Sequence, residues 1–256
     1  MKTSLVIIIA AIFSQSWTYN HPDNFVFFES DNLGNLYIVE DESIIMIGNK
    51  GEKMFEYNQL QFGEITCFDQ TSAMRSLVFY EDQSVFLILD NTLSVQSPAV
   101  RLNEFDLYYI QLMCASKNNH YWCYSSETNS IVRLNQQLGI VSKGEDLNQL
   151  LNSVIAPDQI MERSGKVYLN DPKNGIHIFD RYGNYEKTLE IKNVQQMEIK
   201  NTNLFYLAQN KIFRYNLNTF LENEIDLEQE SINGFSVENN QLFWSVGQSI
   251  SVYDLK

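Results

Sequence analysis

Basic residues are scarce in this 256-residue chain: 18 Lys and Arg stand against 32 Asp and Glu, for a formal net charge of −14. A surface of that sign repels phosphate backbones and anionic headgroups, and no basic patch offsets it. Nucleic-acid binding and electrostatic docking to anionic lipid are therefore not expected. Gly (11) and Pro (4) are too few for a fibrous or disordered chain. Cysteine is limited to Cys67, Cys114 and Cys123, an odd number that rules out a fully paired disulfide framework. Cys114 and Cys123 lie equally far from a turn at Asn118-Asn119, so a cross-strand disulfide and free buried thiols both stay open. No Asn-x-Ser/Thr sequon occurs, which leans toward a bacterial periplasm if the chain is exported.

Long apolar runs are absent except one. Leu5 to Phe13 is unbroken, follows the positive Lys2 and precedes Ser14-Gln15-Ser16, with small residues at the −3 and −1 positions of a cleavage site. It is too short to span about 30 Å of hydrocarbon as a helix. This is the pattern of a secretory signal peptide over residues 1–16, cut after Ser16, leaving a mature domain over 17–256 that is periplasmic or secreted. No later run could form a transmembrane segment.

What the chain does have is aromatic residues, 13% of the total, which favour strands, and a repeat. An apolar-aromatic strand recurs at Leu36, Leu77, Tyr121, Val167, Leu204 and Leu242, each followed by a polar gap and a second strand starting at Ile44, Val85, Ile131, Ile176, Ile212 and Ile250. Turn residues such as Gly34-Asn35, Ser164-Gly165 and Asn239-Asn240 precede the first strand. Another apolar stretch lies before each of these turns, at residues 25–28, 65–68, 109–113, 159–161, 194–199 and 232–237, and outer strands follow at 53–57, 140–143 and 185–191. Units of about 40 residues with four strands and apolar faces on both sides predict an all-β, six-bladed β-propeller of four-stranded antiparallel blades. The one helix candidate is residues 145–154. The last unit stops after its third strand, so Trp17-Thr18-Tyr19-Asn20 are predicted to supply the fourth and close the ring.

Within this repeat, Ile176-His177-Ile178-Phe179-Asp180-Arg181-Tyr182-Gly183-Asn184 resembles the repeat of NHL-type propellers, an apolar strand followed by an Asp and a Gly turn. Tyr121-Trp122 and Phe243-Trp244 resemble the aromatic strand of YWTD propellers. The resemblance implies the architecture; propellers host enzymes, receptors and scaffolds alike.

Chemical motifs are few. There is no Gly-x-Ser-x-Gly elbow, no His-Glu-x-x-His and no Cys-x-x-Cys, and His21, His120 and His177 are dispersed. The expectation is a chain without catalytic residues, metal or cofactor. The enzymatic alternative is a calcium-dependent lactonase propeller, a fold that this architecture resembles. Glu29, Asp31, Asp69, Asn170, Asp171, Glu198 and Glu238 would be the candidate oxygen ligands. The favoured reading is a protein-interaction or scaffold subunit, accessory to an outer-membrane or secretion complex. Its binding face would be the acidic loops between second and third strands, carrying Glu40, Asp41, Glu42, Glu81, Asp82, Glu127 and Asp171, and its partner a basic or polar protein. Glycan binding through exposed aromatics such as Tyr108 and Tyr109 is a third possibility.

Overall fold

The structure, a computed structural model, describes residues 15–70, 72, 74–227, 229 and 231–255. The signal peptide expected over residues 1–16 falls largely outside them.

Among the described residues, twenty-four strands form six four-stranded antiparallel sheets. Gln15–Asn20 is β1. Blade one is Phe27–Ser30 (β2), Leu36–Val39 (β3), Ser43–Ile47 (β4) and Lys53–Asn58 (β5). Blade two is Cys67–Asp69 (β6), Ser76–Tyr80 (β7), Val85–Leu89 (β8) and Val100–Arg101 (β9). Blade three is Ile110–Ser116 (β10), His120–Ser125 (β11), Ser130–Leu134 (β12) and Ile140–Lys143 (β13). Blade four is Gln159–Arg163 (β14), Lys166–Asp171 (β15), Gly175–Asp180 (β16) and Tyr185–Leu189 (β17). Blade five is Gln196–Lys200 (β18), Asn203–Ala208 (β19), Lys211–Asn216 (β20) and Glu222–Glu224 (β21). Blade six has Gly234–Glu238 (β22), Gln241–Val246 (β23) and Ser249–Asp254 (β24), and takes β1 as its outer strand.

Ring closure follows the expected pairing: Trp17 lies opposite Val252, Thr18 opposite Ser251, Tyr19 opposite Ile250 and Asn20 opposite Ser249. An edge that would present unpaired N–H and C=O groups is thereby covered. His21 extends the clasp, donating its backbone N–H to Gln248 O and placing Nε2 2.8 Å from Glu40 Oε1 of blade one.

The core is six apolar layers, each pressed between two neighbouring blades. Between blades one and two lie Tyr37, Met46, Phe68 and Tyr80; between six and one lie Phe28, Ile38, Phe243 and Val252. The inner strands are buried on both faces, which is why they read as continuous apolar runs rather than alternating ones.

Three expectations are corrected. The innermost strands end beyond the apolar stretches, β2 at Ser30 rather than residue 28 and β14 at Arg163 rather than 161, because their last residues are polar groups that face the axis. The helix shrinks to one turn, Leu147–Leu150 (α1), capped by Asp146 and ended where Asn152 takes φ of 49°. The turn after β10 holds three residues, Lys117–Asn119, so Cys114 opposes Trp122 and Cys123 opposes Met113. The odd count puts the two thiols in different interblade layers, and all three cysteines are free.

Candidate functional site

An innermost propeller strand has one sheet neighbour; its other edge faces the axis, where its N–H groups must find partners. Here they find side chains of the adjacent blade. Glu29 Oε2 accepts from Gln70 N (3.2 Å), and Asp69 Oδ2 from Ala115 N (2.8 Å). Ser116 Oγ donates to Glu162 Oε2 between blades three and four. Gln159 accepts from Met197 N and donates to Met197 O; Gln196 does the same with Phe235. Glu198 Oε2 accepts from Val237 N (2.8 Å), and Ser236 Oγ from Ser30 N (3.0 Å). Five blade junctions therefore carry a backbone-to-side-chain bond of this kind, and the junction of blades three and four carries a bond between side chains, together making a belt around the axis.

Inside the belt are two chambers that meet at Glu29, Gln159, Met161, Arg163 and Gln196. The wider, about 470 Å³, opens on the face where the loops between second and third strands gather with the connections from each outer strand to the next blade. Its wall mixes apolar side chains, among them Phe25, Phe27, Phe68, Ile160 and Ile232, with polar ones such as Thr66, Asp158, Gln195, Asn210 and Asn233. The narrower, about 330 Å³, opens on the opposite face past Gln70, Lys200 and Glu238.

The waist is electrostatically unusual. Burial, then the charges of Asp69 and Glu198, push the Glu29 carboxyl up to about 8, against the pull of Arg163 and of the Gln70 N–H. Burial also raises Glu198, opposed by Lys200, the Val237 N–H, Ser236 and Arg163. A carboxyl that titrates near neutrality in a cavity can exchange a proton with a bound molecule.

Of the candidate oxygen ligands, the fold brings Glu29, Asp69 and Glu198 together and sends the others elsewhere. Asp31 holds the turn after β2, accepting from the N–H groups of Leu33 and Asn35 and from Tyr37 Oη. Asn170 donates to Asp158. Glu238 pairs with Lys200 at the narrow mouth. Among the described residues no group of three His, Cys, Asp or Glu is placed to hold a metal ion.

The predicted acidic face is one face in space. Ile65 N donates to Asp41 O, Leu102 N to Ser84 O, Leu147 N to Asn129 O and Asn193 N to Pro172 O, so in each case the two kinds of loop are stapled together. Asp41, Asp82 and Glu127 are exposed, while Glu42 and Glu81 are half-buried. Two of the named acids are engaged inward. Burial raises Glu40, but bonds from Ser43 and His21 outweigh it and hold the carboxyl below its usual range. Asp171 is fully buried; it accepts from the N–H groups of Ala156, Lys173 and Asn174 and from Asn174 Nδ2, which keeps it ionised and shapes its loop. Between the acids stand exposed apolar side chains: Val26, Leu60, Val154 and Tyr109, the last 68% exposed with a strained φ of 55°.

Sequence reasoning did not find Gln159, Arg163 and Gln196. The signal that could have found them is a polar residue at the edge of, or within, an innermost apolar stretch.

No family model matches this chain, and no curated protein does. The fold is widely shared. Virginiamycin B lyase from Staphylococcus aureus is 13% identical, with a TM-score of 0.67 over 95% of this chain and 100% of that one. Raptor from Chaetomium thermophilum is 12% identical, with a TM-score of 0.67 over 94% of this chain and 29% of that one. BamB from Moraxella catarrhalis is 12% identical, with a TM-score of 0.52 over 90% and 82%. These likenesses establish the six-bladed propeller. They also correct the expectation that the chain is not an enzyme: the fold is that of a lyase as much as of BamB, and the lack of a familiar motif excluded too much.

Proposed function

We propose that this chain is an exported propeller that holds a protein partner on its wide-mouth face, as an accessory subunit of an outer-membrane or secretion complex. One observation carries the reading. Exposed acids from three successive blades, Asp41, Asp82 and Glu127, lie in loops of the same face as exposed Val26, Leu60, Tyr109 and Val154, and Val26 also lines the 470 Å³ chamber. Apolar anchors set among charges of one sign suit a basic partner segment with apolar side chains of its own. Lys2, the apolar run to Phe13 and the small residues before Trp17 support export, to the periplasm or beyond.

The test is affinity purification from the native source with the mature chain as bait, beside a variant carrying D41N, E81Q and D82N. A basic partner should be retained by the native chain and lost from the variant. Recovery of the bait alone, or the same partners on both, removes the reading. N-terminal sequencing of the exported protein should begin at Trp17.

A further inference from the structure

Exposed acids gather on the wide-mouth face, with Asp41, Asp82 and Glu127. The opposite face carries a pocket of the other sign. It encloses about 340 Å³ beside the turns that join the first two strands of blades two, three and four. Its floor is apolar, built from Leu77, Ile88, Ala115 and the ring of Tyr121. Its rim is basic: Arg75 stands just before β7, and Lys117 and His120 flank the turn between β10 and β11. The Arg75 guanidinium is fixed in place. Nη2 donates to Tyr121 Oη at 2.7 Å, and the group stands 5.9 Å from the centre of that ring. A guanidinium held by one nitrogen keeps further N–H donors for a second partner.

The other charges around this pocket are already matched. Glu162, on its wall, accepts from Trp122 Nε1 at 2.9 Å and from Ser116 Oγ. Arg133 donates to the same Ser116 hydroxyl at 3.4 Å and lies over the Trp122 ring, so it offsets Glu162. Asp69 sits behind Ala115, accepts its N–H and opens on the wide chamber. Arg163, on the inner wall, is drawn to Glu29 and Glu198. Arg75 and Lys117 are different, because no ion pair among the described residues uses either. Acids outnumber bases in this chain by 32 to 18, so counter-charges are not scarce. Two cations kept at one pocket without a carboxylate repel each other, and a bound anion would relieve that cost.

We propose that this pocket binds a small amphipathic carboxylate. The carboxylate lies between Arg75 and Lys117, and the apolar body rests on Leu77, Ile88 and Tyr121. The planar guanidinium of Arg75 matches the two oxygens of a carboxylate, while Lys117 adds a point charge from the exposed side. The turn that carries Lys117 is set by Asn118 and Asn119, at φ of 61° and 57°, as a tight hairpin requires. A monoanion fits better than a phosphate, because the floor is apolar and Glu162 on the wall repels a second negative charge. A floor of this kind also asks for an apolar group on the ligand, which a bare ion lacks.

A titration followed by backbone amide NMR shifts tests this at pH 7 and low salt. The probe is 3-phenylpropionate, with 3-phenylpropanol and 3-phenylpropylamine as neutral and cationic counterparts and acetate as the anion without a body. The carboxylate should bind and move the amide signals of residues 117–120. The alcohol and acetate should each bind about tenfold more weakly or worse, and the amine not detectably at these residues. Arg75→Gln should weaken 3-phenylpropionate about tenfold. Lys117→Gln should weaken it about threefold, the scale of an exposed ion pair. Lys117 is exposed and makes no side-chain bond among the described residues, so this variant decides the matter if Arg75→Gln fails to fold. Equal or tighter binding of the alcohol or the amine, shifts confined to the wide chamber, unchanged affinity in Lys117→Gln, or no binding of 3-phenylpropionate at any soluble concentration would overturn the proposal. The inference is independent of the partner face: the D41N, E81Q and D82N variant leaves this pocket intact, so failure of either reading can be told from failure of the other.

Discussion

Ser236 Oγ lies 2.8 Å from Ser30 Oγ and accepts the Ser30 backbone N–H at 3.0 Å, joining the last blade to the first across 206 positions of sequence. This is the junction where the belt around the axis closes. The same two blades are joined at the periphery by β1, so the ring is clasped at both its inner and its outer radius.

Ser236 is buried, and replacing it with Ala leaves the Ser30 N–H and hydroxyl without their partner. Ser236→Ala should cost about 1–3 kcal/mol. Urea unfolding monitored by tryptophan fluorescence measures this, and an unchanged midpoint would show that the inner clasp is dispensable.

Removal of residues 17–20 should have a larger effect. The β24 edge would be bared, and Trp17 and Tyr19 would no longer pack against the layer that holds Phe28 and Val252. The expected result is a melting temperature lower by well over the roughly 2–4 °C that about 1 kcal/mol moves a domain of this size, with oligomers on gel filtration through the exposed strand. A monomer of unchanged stability would mean that β24 does not need its partner.

Glu29 makes stability depend on pH in a defined direction. Its folded-state value of about 8 lies above the ordinary 4.5. Between those two values the folded chain binds the proton that the unfolded chain has released. Stability contributed by this group is therefore present at and below the unfolded value and is lost as pH rises, by at most about 1.4 kcal/mol per unit. Glu198, raised in the same way, adds to the slope at its lower end. Denaturant melts of the native chain and of Glu29→Gln from pH 5 to pH 8 should show a fall in the first and a flatter profile in the second.

Gly175 opens β16 at φ of 115°, and a Cβ there would come within 2.3 Å of Leu189 O, a backbone atom. Gly175→Ala should cost more than the roughly 1 kcal/mol set by conformational preference alone, because the backbone of β17 must move. Thermal melting compares it with Gly51→Ala, where φ is also positive but no atom lies within 4 Å.

The thiols give a simple check. Three equivalents should react with a thiol reagent after unfolding under non-reducing conditions, and reductant should leave the melting temperature unchanged. A single reactive thiol would indicate a disulfide that the register of β10 and β11 does not favour.

The repeat, the number of blades and the closing strand were all legible in the chain. A strand buried on both faces must be a continuous apolar run, and a unit one strand short must borrow one. The starts of β3, β8, β12 and β24 fall within one residue of where the apolar runs place them, since burial of Leu36, Val85, Ile131 and Ile250 is the same fact seen in one dimension and in three.

The channel was not legible in this way. Glu29, Asp69, Gln159, Arg163, Gln196 and Glu198 are scattered in sequence: Glu29, Asp69 and Arg163 follow apolar stretches, whereas Gln159, Gln196 and Glu198 fall within them. Their meaning comes from convergence: residues up to 169 positions apart, from Glu29 to Glu198, meet only because six inner strands are set side by side around one axis. Likewise Asp171 and Asp82 are both loop acids in sequence, and only tertiary structure buries one among N–H donors and exposes the other. The chain by itself determined the fold, because burial is periodic along it. Which acids stand open to solvent and which serve the backbone was decided by packing, because charge and desolvation depend on neighbours that local sequence does not contain.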